Sequence, residues 1–153
     1  MTIIELSERP DLLQQGIQYF WKQWGSEQNL SFYQDCILHS VDKSNALPKF
    51  YLALEQAQII GSYALLVNDI ISRQDLMPWL ACLYVEESHR KQGIAEQLLQ
   101  HGLAQSKAKG FNYLYLSSDL VNFYERKGWQ PLCDGYNVFG EAIQIYQKAV
   151  SAH

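Results

Sequence analysis

Leu12, Leu13, Ile17, Phe20, Trp21 and Trp24 recur at spacings of three and four, the period of a helix that buries one stripe. Pro10 suits a first helical position and Gly25 a stop, so a helix is predicted from Pro10 to Trp24. A short strand, Thr2 to Leu6, precedes it, and a second helix is read over Ser31 to Val41. Two apolar runs, Phe50 to Leu54 and Ile59 to Val67, flank the polar turn Glu55 to Gln58 and read as paired strands. Asn68 to Pro78 is a polar loop. Trp79 to Val85 is apolar almost throughout, the pattern of a central strand buried on both faces. In the stretch Gly93 to Lys109, Ile94, Leu98, Leu99 and Leu103 share one helical face, and Gly110 closes the helix. A strand Tyr113 to Leu116, a short helix Leu120 to Lys127 ended by Gly128, and strands Trp129 to Leu132 and Ala142 to Gln147 complete the chain.

Strand, helix, strand over residues 79–116 implies a right-handed parallel crossover. The hairpin-like pairs imply antiparallel neighbours. Together they predict a mixed α/β sheet with helices on both faces. A length of 153 residues suits one domain spanning 1–153.

Composition narrows the function classes. Sixteen acidic against twelve basic residues leave a formal net charge of -4. No element carries the basic stripe that a nucleic-acid backbone binder needs, so no nucleic-acid partner is expected. Positive charge collects only at His89, Arg90 and Lys91, which suits a small anion. No apolar run approaches the ~18 residues that cross a bilayer, and the first residues lack a basic region followed by an apolar one. A cytoplasmic protein without a membrane partner is therefore expected. Cys36, Cys82 and Cys133 are too scattered for a disulfide framework or a zinc site. They read as buried reduced thiols, and no metal is expected. Of His39, His89, His101 and His153, only His89 lies near candidate chemistry.

That chemistry centres on SHRKQGIAEQLL, Ser88 to Leu99. A strand ends, basic residues follow, and a helix begins at Gly93 with Ala95 in its first turn. The first N–H groups of a helix have no internal partners and sit at its positive end, so they bind anions. Neither the GxxxxGK[ST] loop nor a GxGxxG after the first strand is present. By themselves these residues fit a plain turn as well as a phosphate cradle.

In context the stretch resembles the GNAT superfamily of acetyl-CoA-dependent N-acetyltransferases. Their Gln/Arg-x-x-Gly-x-Gly/Ala signature is similar to Arg90-Lys91-Gln92-Gly93-Ile94-Ala95. A second family block, strand then Phe/Tyr-Tyr-Glu-x-x-Gly-Phe/Trp, is similar to YLYLSSDLVNFYERKGW, Tyr113 to Trp129. IIGSYALL, Ile59 to Leu66, looks like the family's third strand. The resemblance implies a mostly antiparallel sheet of six to seven strands with a splayed central parallel pair. It implies acetyl-CoA as co-substrate. The pyrophosphate would lie on the loop Arg90, Lys91, Gln92, Gly93, Ile94, Ala95, with backbone N–H groups from Gln92 to Glu96. The pantetheine arm would run beside a bulged strand at Leu83, Tyr84 and Val85, where a backbone N–H polarises the thioester carbonyl.

Tyr124 matches the tyrosine that protonates the departing thiolate in relatives. Read from the residues alone, Tyr124 and Phe123 equally suit core positions of a short helix. Where many relatives carry a cofactor-contacting Asn, this chain has Ser117; Ser118 and Asn122 are its possible replacements. Asp119 is the first candidate for the base, Glu86 or Glu87 the second. Trp79, Trp21, Trp24 and Tyr33 are candidates for an acceptor pocket. The implied acceptor is a small-molecule or peptide amine, attacked directly in a ternary complex, and the protein a monomer or homodimer. A non-catalytic acyl-CoA-binding or regulatory module on the same fold is the alternative.

Overall fold

The computed structural model describes residues 1–151, so His153 lies outside the described residues. Among these, seven strands form an open mixed sheet: β1 (Thr2–Glu5), β2 (Lys49–Glu55), β3 (Gln58–Leu66), β4 (Trp79–Val85), β5 (Tyr113–Ser118), β6 (Gln130–Tyr136) and β7 (Ala142–Ala149). Their order is β1-β2-β3-β4-β5-β7-β6. β4 and β5 run parallel, whereas β1–β2, β2–β3, β5–β7 and β6–β7 are antiparallel. Three α-helices are described: α1 (Leu13–Trp24), α2 (Leu30–Leu38) and α3 (Ile94–Ala108). This is the mixed, mostly antiparallel sheet with a central parallel pair that the family resemblance implied. Among the described residues no helix is long and apolar enough to cross a membrane.

The chain divides into two compact units. The first comprises Met1–Leu65 and Cys82–Leu98; the second comprises Leu66–Ala81 and the chain from Leu99 onward. In the first, the predicted stripe of α1 buries Ile17 and Phe20. Phe20 meets Phe50 edge-on at 5.0 Å, and Tyr51 stacks on its register partner Tyr63 at 4.4 Å. The buried Lys49 ammonium donates to the carbonyls of Ser40 and Asp42, both at 3.0 Å, and lies 3.7 Å from Glu5. In the second unit, Ile71, Trp79 and Ile145 form a core with Tyr115, Cys133 and Ile143 packed on it.

Several predicted boundaries move for local reasons. Residues Pro10–Leu12 form a 3-10 turn before α1, and His39–Val41 another after α2. α3 begins at Ile94, because Gly93 has φ +78 and so stands outside the helix. The helix expected over Leu120 to Lys127 is absent, and only Glu125–Lys127 complete a 3-10 turn. Asn122 has φ +63, which interrupts any helix there. Leu120 and Val121 are exposed, so no apolar stripe drives one. Gly128, at φ +84, closes the turn as expected of a helix-stop glycine.

Candidate functional site

β4 changes character at its midpoint. Trp79, Leu80 and Ala81 are buried. The register pairs Trp79 with Tyr115 of β5, and the Tyr115 N–H donates to the Pro78 carbonyl at 3.1 Å. Cys82 then adopts φ +55. A left-handed residue inside a strand is the mark of a bulge. The Ser62 hydroxyl, buried on β3, donates to the Cys82 carbonyl at 3.0 Å and holds that kink. Beyond it Cys82, Leu83 and Tyr84 are only half-buried. The expectation of a strand buried on both faces is therefore corrected for these three residues: the bulge breaks the alternation. Gly61 of β3 lets this half of β4 come close, since a Cβ there would stand 2.7 Å from the Tyr84 carbonyl oxygen.

After Val85 the chain makes one 3-10 turn, Glu87–His89, and then a strained corner. Lys91 has φ +63 and Gly93 φ +78. Alternating left-handed residues curve backbone N–H groups around a concavity suited to an anion. The bond from the Gln97 N–H to the Gly93 carbonyl, 3.1 Å, opens the helical ladder. The N–H groups of Ile94, Ala95 and Glu96 precede it, in the first turn at the positive end of the helix. Lys91, Gln92 and Gly93 are exposed. The space where a Cβ of residue 93 would sit is open to 4 Å. Glycine is needed there for its backbone angle, not for clearance from neighbouring protein atoms.

Arg90 is exposed, but its side chain lies back along β4. Its Nε donates to the Val85 carbonyl at 3.0 Å, and its guanidinium lies 5.6 Å from the centre of the Tyr84 ring. It fastens the corner to β4. Tyr84 also meets Tyr19 and Trp24 of α1 edge-on, each at 6.2 Å. The Tyr19 hydroxyl donates to Glu86 at 2.9 Å; burial, then Glu86 itself, pushes this phenol well above its ordinary range. His89 lies 3.5 Å from Glu55 and 2.8 Å from the Ser88 hydroxyl.

The second unit holds the remaining candidates. Tyr124 is buried at the centre of the turn between β5 and β6, against Tyr146 at 5.6 Å, Trp129 at 6.2 Å and Phe123 at 4.9 Å. Burial, then Tyr146, pushes its phenol up to about 12. It stays protonated at neutral pH and can donate. Ser117 and Ser118 are half-buried at the end of β5, while Asp119 and Asn122 are exposed. The left-handed backbone of Asn122 gives it a turn role. Trp79, considered for an acceptor pocket, is fully buried, and its indole N–H donates to the Leu76 carbonyl at 2.6 Å; it is a core residue. Trp24 is exposed, and Trp21 and Tyr33 are half-buried.

The polar loop after β3 is ordered by its own side chains. Asn68 accepts from the Ile71 N–H at 2.9 Å and donates to the Arg73 carbonyl at 3.3 Å. Ser72 and Tyr136 exchange two hydrogen bonds of 2.9 Å, tying the loop to the end of β6. Ile70, Ile71, Ser72, Gln74, Tyr136 and Val138 line a cleft of about 250 Å³ there. Asp69, immediately before Ile70, has its carboxyl pushed up to about 6 by burial. Sequence reasoning missed it, because a single Asp in a polar loop carries no local sign of desolvation. The cysteines are half-buried rather than buried. Among the described residues no three His, Cys, Asp or Glu side chains gather as a metal site.

A family model described as an acetyltransferase (GNAT) domain matches residues 46–131, more than half of the chain. The chain belongs to the GNAT acetyltransferase family. Its reaction class is acyl transfer. The span includes the bulged β4, the corner before α3 and the Tyr124 turn. No curated protein matches the chain. Solved structures of the same fold do. An aminoglycoside 6'-N-acetyltransferase from Enterococcus faecium superposes with a TM-score of 0.74 at 17% identity, over 100% of this chain and 99% of that one. An aminoglycoside 6'-N-acetyltransferase complexed with coenzyme A gives 0.72 at 16%, over 100% and 99%. A GNAT family acetyltransferase from Elizabethkingia anophelis with acetyl-CoA bound gives 0.62 at 20%, over 97% of each chain.

Proposed function

We propose that this GNAT protein is an N-acetyltransferase that moves an acetyl group from acetyl-CoA to a primary amine by direct attack in a ternary complex. The observation that carries the proposal is the succession along one stretch of chain: a strand kinked at Cys82, a left-handed corner at Lys91 and Gly93, then the N-terminus of α3. The solved relatives with bound coenzyme A or acetyl-CoA support that choice of donor. Aminoglycoside acetyltransferases among them favour a small-molecule amine as acceptor.

In this proposal the N–H groups of Gln92 to Glu96 hold the pyrophosphate. Arg90 and Lys91 frame the loop, Arg90 by pinning it to Val85. The pantetheine arm pairs with the half-buried backbone of Leu83, Tyr84 and Val85, as an added strand does. A backbone N–H of that segment polarises the thioester carbonyl, whose oxygen gains charge as the amine attacks. The acceptor nitrogen, freed of one ammonium proton, bonds to the carbonyl carbon and then loses its second proton. Collapse of the tetrahedral adduct breaks the carbon–sulfur bond. The Tyr124 hydroxyl gives its proton to the leaving thiolate and regains one from solvent, so free coenzyme A and the amide result. Asp119, exposed at the end of β5, takes the amine proton through water; Ser117 and Asn122 flank the pantetheine end.

Release of free coenzyme A on mixing the protein with acetyl-CoA and an amine panel tests the reading. Acetyl-CoA binding by calorimetry with no turnover on any amine favours the non-catalytic module instead. Absence of both overturns the site altogether.

A further inference from the structure

Lys148 is a buried lysine near the end of β7 that the proposed chemistry does not use. Burying an ammonium is costly unless it is matched. An apolar chain of similar length would fill the space without that cost. Its Nζ donates to the carbonyl of Lys127 at 2.7 Å. That carbonyl ends the single 3-10 turn Glu125–Lys127, where terminal acceptors lack a helical partner. Two residues earlier on the same strand, and so on the same face, stands Tyr146. Its hydroxyl donates to the Leu120 carbonyl at 3.4 Å, at the opposite end of the same segment. Its ring packs on Tyr124 at 5.6 Å. β7 therefore grips the segment from Leu120 to Lys127 at both ends, with Tyr124 between them.

Among the described residues none is hydrogen-bonded to the Tyr124 hydroxyl, so its direction follows from the backbone of the turn and the rings around it. That backbone is a closed set. The N–H groups of Lys127 and Trp129 donate to the Tyr124 carbonyl at 3.0 and 3.1 Å, and that of Gly128 to Glu125 at 3.1 Å. Gly128 takes its left-handed angle directly under the lysine; a Cβ on it would stand 3.1 Å from the Lys148 Nζ. We infer that Lys148 is a positioning residue for acetyl transfer: it anchors the carbonyl that ends the turn, and the turn aims Tyr124. The inference rests on the reading of Tyr124 as the acid.

Lys148→Met tests it, with Lys148→Arg as the variant that keeps a cationic donor. In Lys148→Met, kcat falls about tenfold while the Kd of acetyl-CoA stays within about threefold. Lys148→Arg recovers most of that loss. Combined with Tyr124→Phe, Lys148→Met costs nothing further, because both remove one contribution. Amide exchange at Lys127, Gly128 and Trp129 accelerates in Lys148→Met, while the amides of β5 stay protected. Unchanged kcat, or a loss that adds in full to that of Tyr124→Phe, overturns the inference. If Lys148→Met does not fold, the Arg variant decides: failure to sustain turnover while folded, with exchange at 127–129 at the wild-type rate, overturns it. If Tyr124→Phe itself turns over normally, the acid role falls. Exchange at those three amides then decides separately whether Lys148 anchors the turn, and a wild-type rate there overturns that too.

Discussion

Asp69→Asn should make the protein more stable at neutral pH. The Asp69 carboxyl is raised from 3.8 to about 6, and burial is the cause. A group whose pKa is raised in the folded state binds its proton more tightly there than in the unfolded chain. Its stabilising contribution is complete below about pH 4 and disappears as pH rises through about 6. At pH 7.5 the folded protein therefore carries a desolvated charge that the unfolded chain hydrates freely. A rise of that size corresponds to about 3 kcal/mol as an upper limit. Asp69 is half-buried and partly hydrated, so ~1–2 kcal/mol is the expected size. Asn removes the charge and keeps the shape. Thermal unfolding at pH 4, 5, 6 and 7.5 measures the effect: at pH 7.5 the variant gains roughly 3–6 °C in Tm, and at pH 4 the difference closes. Parallel curves for the two proteins across that range would refute the burial argument.

Gly93→Val should weaken acetyl-CoA binding by at least tenfold with a small change in Tm, because a β-branched residue resists φ +78 while the helix behind it is untouched; normal affinity by calorimetry removes the corner from the donor site. Gly61→Ala should lower stability by ~2 kcal/mol and also impair catalysis, since the added methyl must push back the Tyr84 carbonyl 2.7 Å away. Denaturant unfolding beside steady-state kinetics checks it, and a silent variant contradicts the close approach of β3 and β4. Tyr124→Phe should reduce kcat by about 10²-fold and leave the Kd of acetyl-CoA unchanged. Its pH–rate profile should also lose any alkaline limb set by a phenol at about 12.

Most of the sheet was legible because its signals are local. The apolar run Trp79–Val85 and the stripe of α3 each announce their element within a dozen residues, and the glycine corner between them announces the turn. The Leu120–Lys127 helix was misread for the same reason: helix-forming residues dominate it, and the left-handed Asn122 leaves no pattern. Trp79 reads in sequence as either a core residue or a pocket wall, because aromatic residues are ambiguous until burial is known. The least legible features depend on distant partners. The kink at Cys82 is held from β3 by Ser62. The desolvation of Asp69 and the burial of Lys148 arise only when loops and strands far apart in sequence close over them. Lys148 even falls past the predicted end of its strand.

Arg90 has a consequence beyond its hydrogen bond. With its guanidinium held over Tyr84 and its Nε on the Val85 carbonyl, Arg90 is already engaged, and an anion bound at this corner would meet backbone N–H groups with the exposed Lys91 beside them. Peptide dipoles gather no condensed ions that an arriving phosphate must displace. Affinity for the donor should then fall less between dilute buffer and half-molar salt than in a cradle built from several free lysines and arginines, whose grip weakens as the Debye length shrinks.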